Sequence, residues 1–243
     1  MSKLTKSLSF AMAGALTLGA SASATLAEEN WARVPAKNAD GNYNILFVTT
    51  DQEHYFSEYP EGTSFQARQL LEEMGATFEK HYVCSNMSTS SRSVIYTGTH
   101  ITETHMFDNT DFPWQTMLDS TQTTIGDRMK DAGYYTAYAG KWHMGDGSIL
   151  SAGAETVTDL KPYGFEEWDR TNDCIGSVQE GHDTDPGIAA NAVSWLTEKG
   201  AALNASGQSF FLAVNFVNPH DIMNYNADNG FQSAMMKTGG APD

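Results

Sequence analysis

Positive charge is scarce in this chain of 243 residues: 14 lysines and arginines face 30 aspartates and glutamates, a formal net charge of −16. The few cations form no cluster, which excludes a nucleic-acid binder working through neutralised phosphates. An anionic small molecule would need a local basic pocket within an acidic surface that otherwise serves solubility. Cysteine is as sparse. Cys84 and Cys174 match no zinc-ligand spacing, and in an oxidising compartment they are either a disulfide or two small thiols. No apolar run reaches the roughly 18 residues of a membrane-spanning helix. Repeats and low-complexity linkers are absent too, so one domain is expected.

What is present begins with a leader. Lys3 and Lys6 precede the short apolar stretch from Phe10 to Leu18, and Ala22-Ser23-Ala24 and Ala27 offer small-residue cleavage points. Residues 1–27 read as a secretory signal, which makes residues 28–243 an exported protein, periplasmic or secreted. The 40% of apolar residues suffices for a globular core.

Apolar runs alternate with helix-forming ones. Asn44 to Thr50 reads as a strand buried on both faces. Ser64 to Met74 reads as a helix with Gly75 as its C′ residue. A further helix spans Thr123 to Ala132, ahead of a strand from Tyr134 to Ala139. Asp185 to Lys199 reads as a helix stopped by Gly200, and Ser209 to Val217 as a strongly apolar strand. The alternation predicts an α/β fold, a largely parallel sheet flanked by helices. Such sheets bind ligands beyond the carboxyl ends of their strands. Three ends carry chemistry there: Asp51-Gln52, Lys141-Trp142-His143 and Asn218-Pro219-His220.

Each group has a plain structural alternative. Asp51 after a buried strand suits a hard cation such as calcium, magnesium or manganese, or simply a helix cap. Ser88-Thr89-Ser90-Ser91-Arg92 opens a helix, Ser93 to Thr97, that ends at Gly98. Free amides and a guanidinium there make an anion cradle, and a hydroxyl a nucleophile; a capping loop would look the same. Lys141 and His143, two apart, point to one side of an extended strand end. Lysine can neutralise a sulfuryl or phosphoryl oxygen, and a histidine can protonate a leaving group.

Taken in order, these segments resemble the sulfatase family of the alkaline phosphatase superfamily. Asn44-Ile45-Leu46-Phe47-Val48-Thr49-Thr50-Asp51-Gln52 is similar to the opening metal-binding strand. Ser88-x-Ser90-Ser91-Arg92 with Thr97-Gly98 is similar to the nucleophile motif, Cys-x-Pro-Ser-Arg. Gly140-Lys141-Trp142-His143-Met144-Gly145 is similar to the second signature, and Phe210 to His220 to the strand bearing a substrate-contacting histidine. The resemblance runs from about residue 42 to 222 and implies an alkaline-phosphatase-like fold. It also implies Asp51 as ligand of a divalent metal, Ca2+ above Mg2+ or Mn2+, with help from Gln52, which replaces the second aspartate of many sulfatases. Ser88 takes the nucleophile position and also faces the metal, and Arg92 holds it. Lys141 and His220 contact sulfate, and His143 supports the nucleophile or breakdown of a covalent intermediate. The substrate class is a small-molecule or carbohydrate sulfate ester.

Two departures leave alternatives open. Sulfatases oxidise a cysteine or serine to formylglycine, so Ser88 is either converted by a formylglycine-generating maturation enzyme or acts unmodified, as in phosphatases of the superfamily. An unmodified serine keeps a phosphoester or phosphonate hydrolase open, and loss of activity leaves an exported anion-binding remnant. Cys84 as nucleophile would put Ser88 where arginine belongs and break the Thr-Gly spacing. The second pair of family metal ligands has no counterpart: Asp228-Asn229-Gly230 follows His220 too closely and reads as a turn. The expectation is the N-terminal part of a catalytic domain, truncated at the C-terminus.

Overall fold

The structure, a computed structural model, describes residues 37–145, 157–169, 173–226 and 230–231. The expected signal and the Asp228-Asn229 pair lie outside the described residues. Four parallel strands form the central sheet: β1 (Ile45–Thr49), β2 (Tyr135–Gly140), β3 (Glu167–Trp168) and β4 (Phe210–Asn215), in the order β1-β4-β2-β3. β4 is central and every residue in it is buried, which is why it reads as an unbroken apolar run.

Alternation along the strands serves two cores. Phe211 and Ala213 of β4 and Tyr138 of β2 pack with Tyr96, Trp142, Tyr163 and Phe165 on one face. Phe210, Leu212 and Val214, with Ala137 and Ala139, pack against Ile188 and Ala192 on the other. Tyr96 belongs to α2 (Ser88–Thr97), and Ile188 and Ala192 to α5 (Glu180–Trp195), so a helix covers each face. α1 (Gln66–Met74) buries no residue. The short α3 (Ile101–Thr104) and α4 (Ile125–Asp131) follow in the chain order between α2 and β2. α4 starts at a capping box in which Thr124 and Asp127 satisfy each other's backbone amides.

Register brings the strand ends together. Thr49 pairs with Asn215, and Asn215 with Gly140, so Asp51, Lys141 and Asn218 leave the sheet at one level. Gly140 has φ 87°, and a Cβ there would overlap the Asn215 carbonyl. Only glycine allows that approach, which delivers the Lys141 amide to the same carbonyl at 3.0 Å.

Several boundaries differ from the sequence-based expectation. α2 begins at Ser88 rather than Ser93, so the serine-rich segment is the helix's first turn. Gly75 ends α1 in an extended conformation, φ −128°, instead of a left-handed one. Gly200 does not stop its helix. α5 begins at Glu180, carries Pro186 inside it, and continues through a π turn at Leu196–Gly200 into α6 (Ala201–Ala205). Gly200 is helical, φ −59°; a Cβ there would lie 3.2 Å from the Trp195 ring and 3.4 Å from Phe210. The glycine makes room for two aromatic rings, a tertiary reason that local propensity does not carry. Cys84 is exposed and Cys174 buried, and no disulfide joins them, so the disulfide alternative does not hold.

Candidate active site

Asp51 leaves β1 into a cluster of charges with almost no water. Its carboxylate is 6% exposed, Arg92 5%, and Lys141 fully buried. Arg92 projects from the second turn of α2 and binds Asp51 Oδ2 through Nη2 at 2.7 Å and Nε at 3.2 Å. Lys141 Nζ, carried past the end of β2, reaches the same oxygen at 3.0 Å. The other oxygen, Oδ1, accepts the Ser88 hydroxyl at 2.8 Å.

Burial alone would raise the Asp51 pKa; Arg92 and then Lys141 outweigh it and hold the carboxyl well below the usual carboxylate range. Burial and the Arg92 charge push Lys141 down, with Asp51 opposing. The three therefore form one unit, with an anion shared between two cations.

Asn215, at the end of β4, ties this unit to the sheet. Its Oδ1 accepts from Thr49 Oγ1 at 2.5 Å and Tyr96 Oη at 2.8 Å, with Arg92 Nη1 at 3.4 Å. Arg92 Nη1 also donates to the Lys141 carbonyl at 2.8 Å. The guanidinium is thus spent on Asp51 and the backbone, and the expected anion cradle of helix amides plus Arg92 does not form. Arg92 reaches Ser88 only through Asp51. The start of α2 has no side-chain cap of its own; Asn109 Oδ1 accepts the Thr89 amide at 3.0 Å instead.

Lys141 and His143 do not share one side of an extended strand end. β2 stops at Gly140, and His143 adopts φ 55°. Asp173 accepts the Trp142 amide at 2.8 Å and the His143 amide at 2.5 Å, which turns the chain there. Lys141 then points to Asp51, while His143 Nε2 meets Asp111 at 3.1 and 3.2 Å. His143 Nδ1 is buried without a hydrogen-bond partner among the described residues.

His220 is 7% exposed and its Nδ1 is likewise unpartnered among the described residues. Burial, then Lys141, push its pKa below the usual histidine value, with Asp51 opposing. At neutral pH His220 is an uncharged ring with one N–H to give. Asp51 and the third strand end are joined directly, because the Asp51 amide donates to the Asn218 carbonyl at 3.3 Å.

The structure thus brings together Ser88, Asp51, Arg92 and Lys141, with His220 within electrostatic reach. His143 stands on the Asp111 side and Gln52 apart, its side chain exposed and φ at 60°. Sequence reasoning missed Asn215, Asp111 and Asp173. An amide inside an apolar strand was a signal for the first; the other two lie in loops with no pattern.

A metal fits this set poorly. Among the described residues no three His, Cys, Asp or Glu side chains converge on a cation position. Asp51 Oδ2 is already loaded by two cations. The arrangement suits holding a tetrahedral anion above an oriented hydroxyl.

The comparisons with known proteins agree with one another. The family model described as Sulfatase matches residues 43–238. The chain is 25% identical over 201 residues to the sulfatase YidJ of Escherichia coli (strain K12), covering 73% of this chain and 38% of YidJ. It is 32% identical over 111 residues to the arylsulfatase of Klebsiella aerogenes, 42% of this chain and 24% of that one. Among solved structures, a 2-O GAG sulfatase superposes with TM-score 0.53 at 20% identity, covering 80% of this chain and 39% of the other. A second was solved in complex with its substrate D-glucosamine-2-N,6-O-disulfate: TM-score 0.52, 21% identity, 75% and 35% coverage. The chain spans about two-fifths or less of the length of these relatives.

Proposed function

The chain belongs to the sulfatase family, and from that premise we propose that it acts in the hydrolysis of sulfate esters at the position of Ser88. The observation that carries the proposal is the Ser88 hydroxyl, partly exposed at the start of α2 and hydrogen-bonded at 2.8 Å to a carboxylate held ionised by two buried cations. The ionised Asp51 accepts the Ser88 hydroxyl hydrogen bond and so fixes the oxygen's direction. Lys141 supplies positive charge to the sulfate oxygens, and His220, neutral at pH 7, an N–H donor. The nucleophile oxygen bonds to sulfur as the S–O bond to the alcohol breaks, and the proton that the hydroxyl gives up goes to the departing alcohol oxygen. Water's oxygen then bonds to the sulfur as the bond from sulfur to the Ser88 oxygen breaks; one water proton returns to Ser88 and the other leaves with the sulfate, with His143, oriented by Asp111, supporting that stage.

The substrate is a small-molecule or carbohydrate sulfate ester, in line with the sugar disulfate bound by one structural neighbour. A divalent cation such as Ca2+, the usual family companion, needs donors beyond the described residues. Export to the periplasm or exterior is supported by the leader-like residues 1–27 and by an extracellular sulfatase homologue of Caenorhabditis elegans among the relatives. No helix of the described residues is long and apolar enough to cross a membrane.

Whether Ser88 is first converted to formylglycine is decided by the mass of the tryptic peptide His81 to Arg92 from the native host. Conversion lowers it by about 2 Da. The unshifted peptide, together with an aryl phosphate cleaved faster than the sulfate, would instead establish the serine phosphoester hydrolase, the reading that an unmodified Ser88 favours.

A further inference from the structure

Lys141 and His220 come from different strands, and what sets one against the other is the start of α5. The Glu180 side chain turns back over the preceding loop, where Oε2 accepts three successive backbone amides: Ile175 at 3.1 Å, Gly176, and Ser177 at 2.9 Å. That loop touches both members of the basic pair. The Ile175 carbonyl lies 3.5 Å from Lys141 Nζ. Gly176 lies against the His220 imidazole, so close that a Cβ would overlap the ring, and its φ of 93° suits glycine.

The same helical turn also holds the far side of His220. The Gly181 and His182 amides donate to the neighbouring Asp221 at 3.1 and 2.8 Å. One turn further on, Asp185 accepts the amides of Val217 and Asn218 at 2.8 and 2.9 Å. The beginning of α5 is therefore a template on which both basic groups are registered.

We propose that Glu180 is a positioning residue for Lys141 and His220, acting through the backbone of residues 175–177. It touches neither reacting atoms nor either basic side chain. Its single oxygen fixes three amides and, with them, the Ile175 carbonyl beside Lys141 and the glycine against His220. The inference rests on the reading of those two groups as the sulfate-holding pair.

The test uses the full chain and two readouts: the NMR signal of His220 Cε1–H, which needs no substrate, and calorimetric titration with inorganic sulfate. All three amides converge on one oxygen, so Glu180→Gln keeps the acceptor and Glu180→Ala removes it. Glu180→Ala is expected to shift the His220 signal and weaken sulfate about tenfold, since small misplacements of binding groups are costly; Glu180→Gln stays near wild type. Gly176→Ala, whose Cβ would overlap the ring, serves as the positive control for a displaced His220 signal; Glu180→Asp, which keeps the charge but withdraws the carboxylate by one methylene, is expected to move the signal as Glu180→Ala does and covers the case in which Glu180→Ala fails to fold. A wild-type His220 signal and affinity in Glu180→Ala (or in Glu180→Asp where Glu180→Ala does not fold), or equal damage in Glu180→Gln, overturns the proposal. Sulfate that fails to bind the wild type, or binds Lys141→Met as well, sinks the functional reading. The His220 signal still decides the role of Glu180.

Discussion

Replacing Asp51 by asparagine removes the one negative charge between two buried cations. In the native protein Oδ2 takes Arg92 at 2.7 Å and Lys141 at 3.0 Å, and Oδ1 takes Ser88 at 2.8 Å. The introduced side-chain amide retains at most one of these acceptor positions and turns an N–H2 toward donors. Breaking a buried ion pair from one side costs about 3–5 kcal/mol. At about 2–4 °C per kcal/mol for a domain of this size, the melting temperature should fall by about 6–20 °C at pH 7. The loss has a defined pH dependence. The folded-state pKa of Asp51 is depressed, so its contribution is full above the unfolded carboxylate value of about 3.9 and is lost as pH falls through the lower folded value. The gap between wild type and Asp51→Asn should therefore narrow in acid. Lys141 is depressed as well, and without Asp51 to oppose burial and Arg92 it drops further. Deprotonating it at raised pH should recover part of the variant's stability. Calorimetric melts of both proteins from pH 3 to pH 10 measure this. A variant melting within about 2 °C of wild type at pH 7, or a deficit unchanged across that range, would refute the buried-triad account.

Other perturbations give equally definite expectations. His220 should titrate, by its Cε1–H signal, below the usual histidine value of about 6.5, and Lys141→Met should raise that midpoint by removing a neighbouring positive charge. Asn215→Leu strands the Thr49 and Tyr96 hydroxyls and a corner of Arg92; at about 1–3 kcal/mol for a buried donor left unsatisfied, chemical denaturation should show at least that loss. Phe211→Ala, in the core on the α2 face, should cost about 3–5 kcal/mol by the same measurement. A cost near zero would mean that this face of the sheet is not packed.

The sheet was legible because its inner strands β2 and β4 are buried and continuous apolar runs such as Phe210 to Val214 have few alternatives; β1, expected to be buried on both faces, is instead an edge strand with Val48 39% exposed. The strand ends were legible for the opposite reason: Asp51, Lys141 and His220 are chemically capable residues abruptly following apolar ones. Sequence could not show where their side chains turn. The direction of His143 depends on Asp173, thirty residues away, clamping two backbone amides, and nothing in the spacing of Lys141 and His143 reports a left-handed residue between strand and loop. Arg92, on helix α2, looked like an anion ligand because its target, Asp51, lies at the end of a distant strand, β1. Gly200 looked like a helix stop because its reason, the rings of Trp195 and Phe210, is tertiary. The metal is the largest gap between resemblance and geometry: Asp51 sits at the end of its strand as the motif implies, but among the described residues no set of three His, Cys, Asp or Glu side chains gathers to hold a metal.

The most direct test of the central claim is a matched pair of esters, one aryl alcohol carried as its sulfate and as its phosphate, assayed for release of inorganic product by the wild type and by Ser88→Ala. The account predicts that sulfate is released in preference to phosphate and that Ser88→Ala, still folded, releases neither. Preferred release of phosphate, or sulfate release that survives Ser88→Ala, would contradict it.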